Sequence, residues 1–395
     1  MHFDKCWSEF VEKIFSSSRE AHPQRLKTHN HRPRGGTAGA VPFRNHRQKP
    51  LLEAVPFRKY WNSSLLIAVL VLTMAPAAMG AAFGKTSGLR QVAMVYIPGN
   101  PGFQAVGFVD GHLIISHSGD STVDIFNLKM RRVDAQIKME KPRGIAVDEN
   151  GGKVYVADAG ANNISVISTK TWKVENNIAV QLAPGPLALS PDGRTLYVGN
   201  THDQSVSAID LGNGKQAVTV PLGHVDAMVY DPVRSVLYAT LEDQAQLAVL
   251  DPGLKVLRRY PVTASQPSAL VLDQQAGRLY VAVRDAVVAL EADSGHEVGR
   301  VAAPMGVDSL WLDSGSGKLY AASSNEVDVI SVHSGQFASE DQLTLTVRGH
   351  GIVFDPDRKL LLMPSGHEGR SLVLILKPAG TQPGLQAPSQ ALIQP

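Results

Sequence analysis

One set of mostly polar residues recurs about every 41 residues, and each member stands two positions before a short apolar run. Its members are Gln104, Arg143, Gly185, Asp226, Ser268, Asp308 and His350. A second set occupies an equivalent turn position in three consecutive repeats and consists of His117, Asp158 and Asn200. Carboxylates, imidazoles and a guanidinium could together bind a divalent cation, transfer protons or stabilise an oxyanion. We therefore take eight of these residues as candidate ligand-binding positions: Gln104, His117, Arg143, Asp158, Asn200, Asp226, Asp308 and His350.

A metal site is one interpretation of these positions. Carboxylate oxygens and imidazole nitrogens suit zinc, manganese or calcium according to geometry, and Asp226, Asp308 and His350 supply both. Asp158 or His117 would complete the coordination. No closely spaced metal motif such as H-E-x-x-H occurs in the sequence. A divalent metal therefore stays an open alternative, and we expect no other cofactor.

Two further interpretations of the same residues also stay open. In the first, His350 or His117 acts as a general base and Arg143 stabilises an oxyanion, as in a lactonase or lyase. The chain has no G-x-S-x-G sequence, so no serine nucleophile is indicated. In the second, the polar residues line a water-filled channel and do no chemistry. Arg143 would then pair with an aspartate, and His350 with a carbonyl group.

The spacing arises from a repeat of about 41 residues. The central positions of its second apolar run lie 40 to 42 residues apart and are Ile114, Tyr155, Tyr197, Tyr238, Tyr280, Tyr320 and Leu362. Seven residues before the last six stand Asp148, Ser190, Asp231, Asp273, Asp313 and Asp355. Aspartate at a fixed offset in a turn is typical of a side chain that caps the turn. We therefore predict that these aspartates hold turns and that the tyrosines pack between sheets.

Each repeat is predicted to form four short strands. In the second repeat these are Gly144–Val147, Lys153–Ala157, Asn163–Ile167 and Lys173–Val180. Alternating apolar and polar residues, β-branched residues and turns between the runs indicate strands, and no helical period follows residue 85. A four-stranded unit of this size cannot bury both faces alone, so neighbouring units must stack around an axis. The sequence predicts an all-β fold, a seven-bladed β-propeller with four-stranded blades over residues 90–377.

The last repeat lacks an outer strand, because the chain passes after Lys377 into a segment rich in proline, glutamine and alanine. A spare strand, Gln91–Ile97, precedes the first repeat and resembles Lys215–Pro221, the fourth strand of another repeat. We expect this N-terminal strand to complete the last blade and close the ring. Residues 378–395 are expected to form a disordered tail.

The segments Pro186–Asn200 and Ser205–Asp210 carry a more specific pattern. They read PLALSPDGRTLYVGN and SVSAID and resemble the YVTN-type propeller repeat. The resemblance covers about residues 90–377 and extends to exported bacterial proteins described as YncE-like. It implies a propeller, but the motif is structural and prescribes no catalytic residues. A shortened loop at Arg284 and Asp285, and the absence of the tyrosine in the last repeat, depart from the pattern.

The N-terminal region has the pattern of an export signal. Two basic residues precede the apolar run Leu65–Leu72, and Pro76 and a stretch of small residues follow it. We predict a signal peptide over residues 59–81, since the run is shorter than the roughly 20 apolar residues of a membrane anchor. Residues 1–58, rich in arginine, histidine and proline, are predicted to be a disordered basic leader or to precede the true start. A nucleic-acid-binding arm is the alternative.

Removal of this leader changes the charge of the protein. Residues 1–60 hold 12 Lys and Arg against 5 Asp and Glu, a net charge of +7, and the whole chain is +2, so residues 61–395 carry −5. Such a domain lacks the positive charge that phosphate binding demands, so we expect no nucleic-acid partner. The single cysteine, Cys6, excludes an intrachain disulfide and a cysteine-based zinc site.

The sequence as a whole predicts a periplasmic or secreted propeller that acts as a binding or scaffold module. Its polar axial face is expected to recognise a small molecule, a peptide or a protein. We expect a monomer that is not inserted in a membrane once the signal is cleaved. The alternative is a lactonase- or lyase-like enzyme at the same face, with or without a metal.

Overall fold

The computed structural model describes residues 88–263, 266–333 and 336–378. The predicted leader, the predicted signal peptide and the predicted tail beyond Pro378 lie outside these residues. Within the described ranges β-strands make up nearly all of the regular secondary structure, and one turn of 3-10 helix at Glu242–Gln244 is the only helical element. No helix in those ranges is long and apolar enough to cross a membrane.

A single strand, β1 (Leu89–Tyr96), precedes six consecutive four-stranded antiparallel sheets. In each sheet the strands pair in chain order, so hairpins alone build the blade. Blade 1 comprises β2 (Val106–Val109), β3 (His112–His117), β4 (Thr122–Asn127) and β5 (Arg132–Lys138); blade 2 comprises β6 (Pro142–Asp148), β7 (Lys153–Asp158), β8 (Asn163–Ser168) and β9 (Val174–Ala179); blade 3 comprises β10 (Pro184–Leu189), β11 (Thr195–Asn200), β12 (Ser205–Asp210) and β13 (Lys215–Pro221).

The next three blades repeat this arrangement. Blade 4 comprises β14 (Val225–Asp231), β15 (Val236–Leu241), β16 (Gln246–Leu250) and β17 (Val256–Pro261); blade 5 comprises β18 (Leu270–Asp273), β19 (Arg278–Val283), β20 (Ala286–Glu291) and β21 (Glu297–Ala302); blade 6 comprises β22 (Ser309–Asp313), β23 (Lys318–Ala322), β24 (Glu326–Ser331) and β25 (Ala338–Thr344). The four strands predicted for the second repeat agree with β6 to β9 within two residues at each end.

Blade 7 has an interrupted inner strand and an outer strand from elsewhere in the chain. Its strands are β26 (Arg348–Gly349), β27 (Val353–Asp355), β28 (Leu360–His367) and β29 (Arg370–Pro378), with β26 and β27 both paired to β28. Gly351 lies in the interruption at φ 75°, a left-handed conformation that glycine adopts without strain. The outer position is held by β1, antiparallel to β29, with Leu89 opposite Pro378 and Tyr96 opposite Leu372.

The seven sheets form a closed ring around an axis. The inner strands of successive blades contact one another in the order β2, β6, β10, β14, β18, β22 and β27, and β27 contacts β2 again. The predicted all-β, seven-bladed β-propeller is therefore confirmed. This architecture brings the entry to each inner strand to the same end of the axis, because every blade has the same strand order.

The apolar core lies between the blades. Seven buried clusters are present in the described residues, and each joins two neighbouring blades. Ile114 and Val156 meet between blades 1 and 2, while Leu113 and Val373 meet between blades 7 and 1. The five tyrosines of the repeat are at most 3% exposed, so their predicted packing role is confirmed. Burial of one such side chain stabilises the fold by about 2 kcal/mol.

The repeating aspartates hold the turns between the first two strands of their blades. Asp231 Oδ1 accepts the N–H groups of Val233 and Arg234 at 2.8 and 3.1 Å. Asp273 Oδ1 accepts the N–H of Ala276 at 2.9 Å. These bonds satisfy backbone N–H groups that would otherwise have no partner in a tight turn. The predicted turn role of these aspartates is confirmed.

Candidate functional site

The seven residues that precede the inner strands lie together at one end of the ring. Gln104, Arg143, Gly185, Asp226, Ser268, Asp308 and His350 all line one cavity of about 460 Å³, here called the axial cavity. Each blade contributes one of them, because each stands at the entry to an inner strand. Thr201 and His224 also line this cavity. The spacing in the sequence therefore locates one wall residue from every blade.

Asp308 and His350 form a charged pair in the cavity wall. His350 Nδ1 lies 2.6 Å from Asp308 Oδ2, and its Nε2 donates to the carbonyl oxygen of Gln104 at 2.7 Å. A carbonyl and a carboxylate oxygen both accept, so these contacts favour the protonated imidazole, in which both ring nitrogens carry hydrogen. Burial lowers the pKa of His350, but the contacts with Asp308 and the carbonyl outweigh it and raise that pKa above its usual value. Asp308 Oδ1 is buried and has no hydrogen-bond partner among the described residues.

His224, Asp226 and Glu242 form a second cluster, on blade 4. His224 Nε2 lies 3.5 Å from Asp226 Oδ1, and His224 Nδ1 lies 3.8 Å from Glu242 Oε2. One nitrogen or oxygen from each residue lies within 4.8 Å of the other two. Burial, followed by the charge of Glu242, raises the pKa of Asp226 to about 6. The cluster arises because Val225 pairs with Leu241 across the hairpin and so brings their chain neighbours together.

The predicted metal set of Asp226, Asp308 and His350 does not converge on one point. Within the described ranges, one group of three His, Cys, Asp or Glu side chains has ligand atoms close enough to hold an ion, and it is His224, Asp226 and Glu242. Asp226 and Asp308 belong to blades 4 and 6, and blade 5 lies between them. The intervening blade therefore keeps the two predicted metal-binding aspartates apart. The repeat spacing did not identify His224 and Glu242 as site residues. The pairing of β14 with β15 could have indicated them, because it brings the chain neighbours of Val225 and Leu241 together.

His117, Asp158 and Asn200 do not line the axial cavity. They are at most 4% exposed, and hydrogen bonds hold all three side chains. His117 Nδ1 lies 2.7 Å from Asp124 Oδ2, and its Nε2 lies 2.7 Å from the carbonyl oxygen of Asn100. Asp158 accepts four backbone N–H groups from two turns, and Asn200 donates to two serine hydroxyls. We therefore assign structural roles to these three residues, because their side chains are buried and engaged by neighbouring groups of the protein.

Two further cavities adjoin the axial cavity. The first, of about 570 Å³, lies at the seam between blades 7 and 1, shares His350 with the axial cavity, and is called the seam cavity here. The second, of about 460 Å³, lies beside blade 5, shares Ser268 and Asp308 with the axial cavity, and is called the blade 5 cavity. The seam cavity is also lined by Phe103, Arg348, His367 and Glu368, and the blade 5 cavity by Glu242, Gln266, Arg284 and Met305.

Parts of the chain are similar to known propeller-repeat families. Residues 170–285 match the family described as the SMP-30/Gluconolactonase/LRE-like region, and residues 140–167 match the NHL repeat. Together with the ring, these matches define the chain as a repeat-built β-propeller protein. The narrower resemblance to YncE-like exported proteins stays a prediction.

Two curated proteins and one solved structure illustrate these similarities. Antigen Lp49 of Leptospira interrogans serogroup Icterohaemorrhagiae serovar copenhageni (strain Fiocruz L1-130) is 34% identical over 82 residues, which cover 20% of this chain and 18% of that protein. NHL repeat-containing protein 2 of Homo sapiens is 26% identical over 147 residues, covering 33% of this chain and 19% of that protein. The chain thus spans about a fifth of the length of these relatives. Kuenenia stuttgartiensis hydrazine synthase shares the fold, with a TM-score of 0.63 at 15% identity over 72% of this chain and 97% of that chain.

Proposed function

We propose that this propeller is a binding module that takes a small polar ligand into the axial cavity. The observation that supports this most is that seven separate repeats each contribute a residue to one concave wall. The blades hold these groups on a rigid frame, so little ordering is needed on binding. Charged groups stand close together in the wall, Asp308 with His350 and Asp226 with His224. Such a wall suits a ligand that has both donors and acceptors.

A substitution that fills the cavity tests this proposal. Gln104 is exposed, and the structure holds it through its backbone, so Gln104→Trp should occupy the axial cavity and keep those backbone bonds. Gln275→Trp, in the turn at the other end of blade 5, is the matched control. In a thermal-shift screen of polar metabolites, a ligand at a hundredfold excess over its Kd stabilises the protein by about 2.7 kcal/mol. We expect Gln104→Trp alone to lose the response, and a response that survives in Gln104→Trp would contradict the proposal.

A lactonase-like hydrolase is the second candidate, and the match of residues 170–285 to the SMP-30/Gluconolactonase/LRE-like region favours it. Asp226 lies in that segment, and its pKa of about 6 suits a general base at neutral pH. Asp226 would take a proton from the water that attacks the lactone carbonyl, and Arg143 would stabilise the oxyanion. The proton would then pass to the ring oxygen as the carbon–oxygen bond breaks. We prefer Asp226 to His350 or His117, since both ring nitrogens of each histidine are already engaged.

A divalent ion fits this second candidate at His224, Asp226 and Glu242. Two carboxylates and an imidazole are ligands that zinc and manganese accept, and one atom of each lies within 4.8 Å of the others. A bound ion would polarise a carbonyl oxygen. Asp226 would then be a ligand instead of a base, so the two versions exclude each other. Elemental analysis of the purified protein distinguishes them.

Lactone hydrolysis by substituted proteins tests the enzyme candidate itself. We expect Asp226→Asn to lose turnover of a lactone panel in either version. Asp285→Asn is the matched control, because Asp285 is an exposed carboxylate in the turn between β19 and β20. Equal turnover by the wild type and both variants would remove the enzyme candidate and leave the binding proposal standing.

We also propose that the chain is exported through the signal peptide predicted over residues 59–81. The apolar run Leu65–Leu72, followed by Pro76 and small residues, supports this. N-terminal sequencing of the protein recovered from the periplasm or the medium should begin near Gly80 or Ala81. A product that retains Leu65–Leu72 would contradict cleavage at this site.

A further inference from the structure

We infer that the ligand is an elongated small molecule with at least two carboxylate groups, bound by Arg143 together with Arg284 or Arg348. This inference rests on the proposed binding function and names the chemistry of its ligand. One guanidinium lines each of the three adjoining cavities. Arg143 lines the axial cavity, Arg348 the seam cavity and Arg284 the blade 5 cavity.

These three guanidiniums have no acidic partner among the residues that the structure describes. Among the described residues, no carboxylate oxygen lies within 4.0 Å of any of them. Arg143 is near enough to Asp226 to oppose the rise in its pKa, but the two do not pair. Arg234, in contrast, contacts Asp231 at 3.0 Å and Asp293 at 2.7 Å in the turn at the opposite end of its blade. The arginines at the cavities are thus free to bind an external anion.

The acidic residues of the same walls already have partners. Asp308 Oδ2 lies 2.6 Å from His350 Nδ1. Asp226 and Glu242 share the imidazole of His224 at 3.5 and 3.8 Å. These carboxylates thus face histidine side chains, whereas none among the described residues lies within 4.0 Å of the three guanidiniums.

The arrangement favours carboxylates over phosphate. Each cavity presents a single guanidinium, whose parallel N–H groups match the two oxygens of one planar carboxylate. A phosphate group spreads a charge of about −1.5 to −2 over three terminal oxygens and is bound best where several donors converge. The single, separated guanidiniums therefore fit separated carboxylates.

The residues that the cavities share set the reach that the ligand would need. The seam cavity shares His350 with the axial cavity, and the blade 5 cavity shares Ser268 and Asp308 with it. A ligand that reaches past one of these shared side chains would meet a guanidinium in each of two cavities. The polar side chains between them would contact the uncharged middle of that molecule.

Calorimetric titration with matched acids and amides tests this inference. The probes are linear dicarboxylic acids and sugar diacids, each paired with its neutral diamide. We expect the acids to bind and the diamides to bind at least tenfold more weakly. Each of the variants Arg143→Gln, Arg284→Gln and Arg348→Gln removes one guanidinium. A variant that removes a guanidinium in contact with the acid should bind that acid roughly tenfold to a hundredfold more weakly. Arg194→Gln, an exposed arginine in the turn between β10 and β11, is the control and should bind as the wild type does.

The outcomes separate this inference from the binding function on which it rests. Equal binding of acids and diamides, or acid binding unchanged in all three cavity variants, would overturn the carboxylate inference. Neutral probes that still bind and are blocked by Gln104→Trp would then leave the proposed function intact. If no acid, amide or other polar metabolite binds at millimolar concentration, the binding function itself fails, and this inference fails with it.

Discussion

His350 of blade 7 reaches across the seam of the ring to Gln104 of blade 1, where its Nε2 donates to the carbonyl oxygen at 2.7 Å. His117 makes the same kind of contact, with Nε2 2.7 Å from the carbonyl oxygen of Asn100. Both acceptors lie on the segment that joins β1, in the last blade, to β2, in the first. Each imidazole also faces an aspartate through Nδ1, at 2.6 and 2.7 Å. Two histidines therefore fasten this connecting segment to the ring.

We expect the stability of the ring to fall as the pH rises above the ordinary histidine pKa. Burial lowers the pKa of His117 and of His350, but their aspartate and carbonyl contacts outweigh it, so both pKa values are raised. A group with a raised pKa stabilises the fold fully below its unfolded pKa of 6.5, and loses that contribution as the pH rises through its folded pKa. Thermal unfolding measured at successive pH values should show this loss.

Substitution of His350 tests whether this histidine causes part of the pH dependence of stability. The decline above neutral pH should be smaller in His350→Gln than in the wild type, because one of the two titrating contacts is gone. His202→Gln should keep the wild-type profile, since the His202 side chain is 72% exposed and lies in a surface turn. Parallel profiles for the wild type and His350→Gln would show that this contact contributes nothing to the pH dependence.

Asp328→Asn is expected to stabilise the protein at neutral pH. Asp328 lies on β24, is 3% exposed, and its Oδ1 has no partner among the described residues. Burial, then the charges of Glu326 and Asp341, raises the pKa of Asp328 to about 6. Ionisation of an acid with a raised pKa opposes folding, so stability is lost as the pH rises from 3.8 to about 6. A neutral amide should recover about 1 to 3 kcal/mol.

Chemical denaturation at neutral pH measures this effect. Asp357→Asn, an exposed aspartate in the turn after β27, is the control and should leave the unfolding midpoint unchanged. An unfolding midpoint for Asp328→Asn at or below that of the wild type would count against an unfavourable buried charge at this position.

Loss of β1 is expected to expose an apolar sheet edge. β29 pairs with β1 from Leu89 to Tyr96, and without it the backbone of β29 would be free to pair with another chain. Leu372 and Leu374 of β29 are fully buried in the cluster between blades 6 and 7, together with Leu89. A chain that starts at residue 98 should therefore aggregate and unfold at a lower temperature than one that starts at residue 88. A monomeric shorter chain with the same midpoint would show that β1 is dispensable.

Asp158→Ala is expected to destabilise the fold and to leave the axial cavity intact. Asp158 is 4% exposed and accepts the N–H groups of Glu140, Lys141, Gly160 and Ala161 at 2.8 to 3.3 Å. Loss of these four part-buried bonds loosens both turns and should cost about 1 to 2 kcal/mol, because water can reach the freed N–H groups. Asp285→Ala, at the corresponding turn of blade 5, is exposed and should cost little. If Asp158→Ala lowered ligand affinity as well as stability, Asp158 would again be a candidate ligand-binding residue.

Much of the fold is predictable from the sequence, because the turns and strands of each repeat depend on residues that are close together in the chain. The turn that Asp231 holds involves only residues 231–234, and the burial of Tyr238 follows from its place on the second strand of a stacked sheet. Neither depends on distant parts of the chain. The recurrence of such local units about every 41 residues is what predicts seven similar sheets.

The sequence by itself determined which residues surround the axis, because strand order within each blade sends one equivalent position per repeat to the same end of the ring. Only the tertiary structure decided which of these residues meet. Asp308 reaches His350 in the next blade, whereas Asp226 meets His224 and Glu242 within its own blade. The reason is that contact between side chains depends on the angle between neighbouring blades and on the direction each side chain takes at the strand entry. The spacing of residues along the sequence contains neither the angle between blades nor the direction of a side chain.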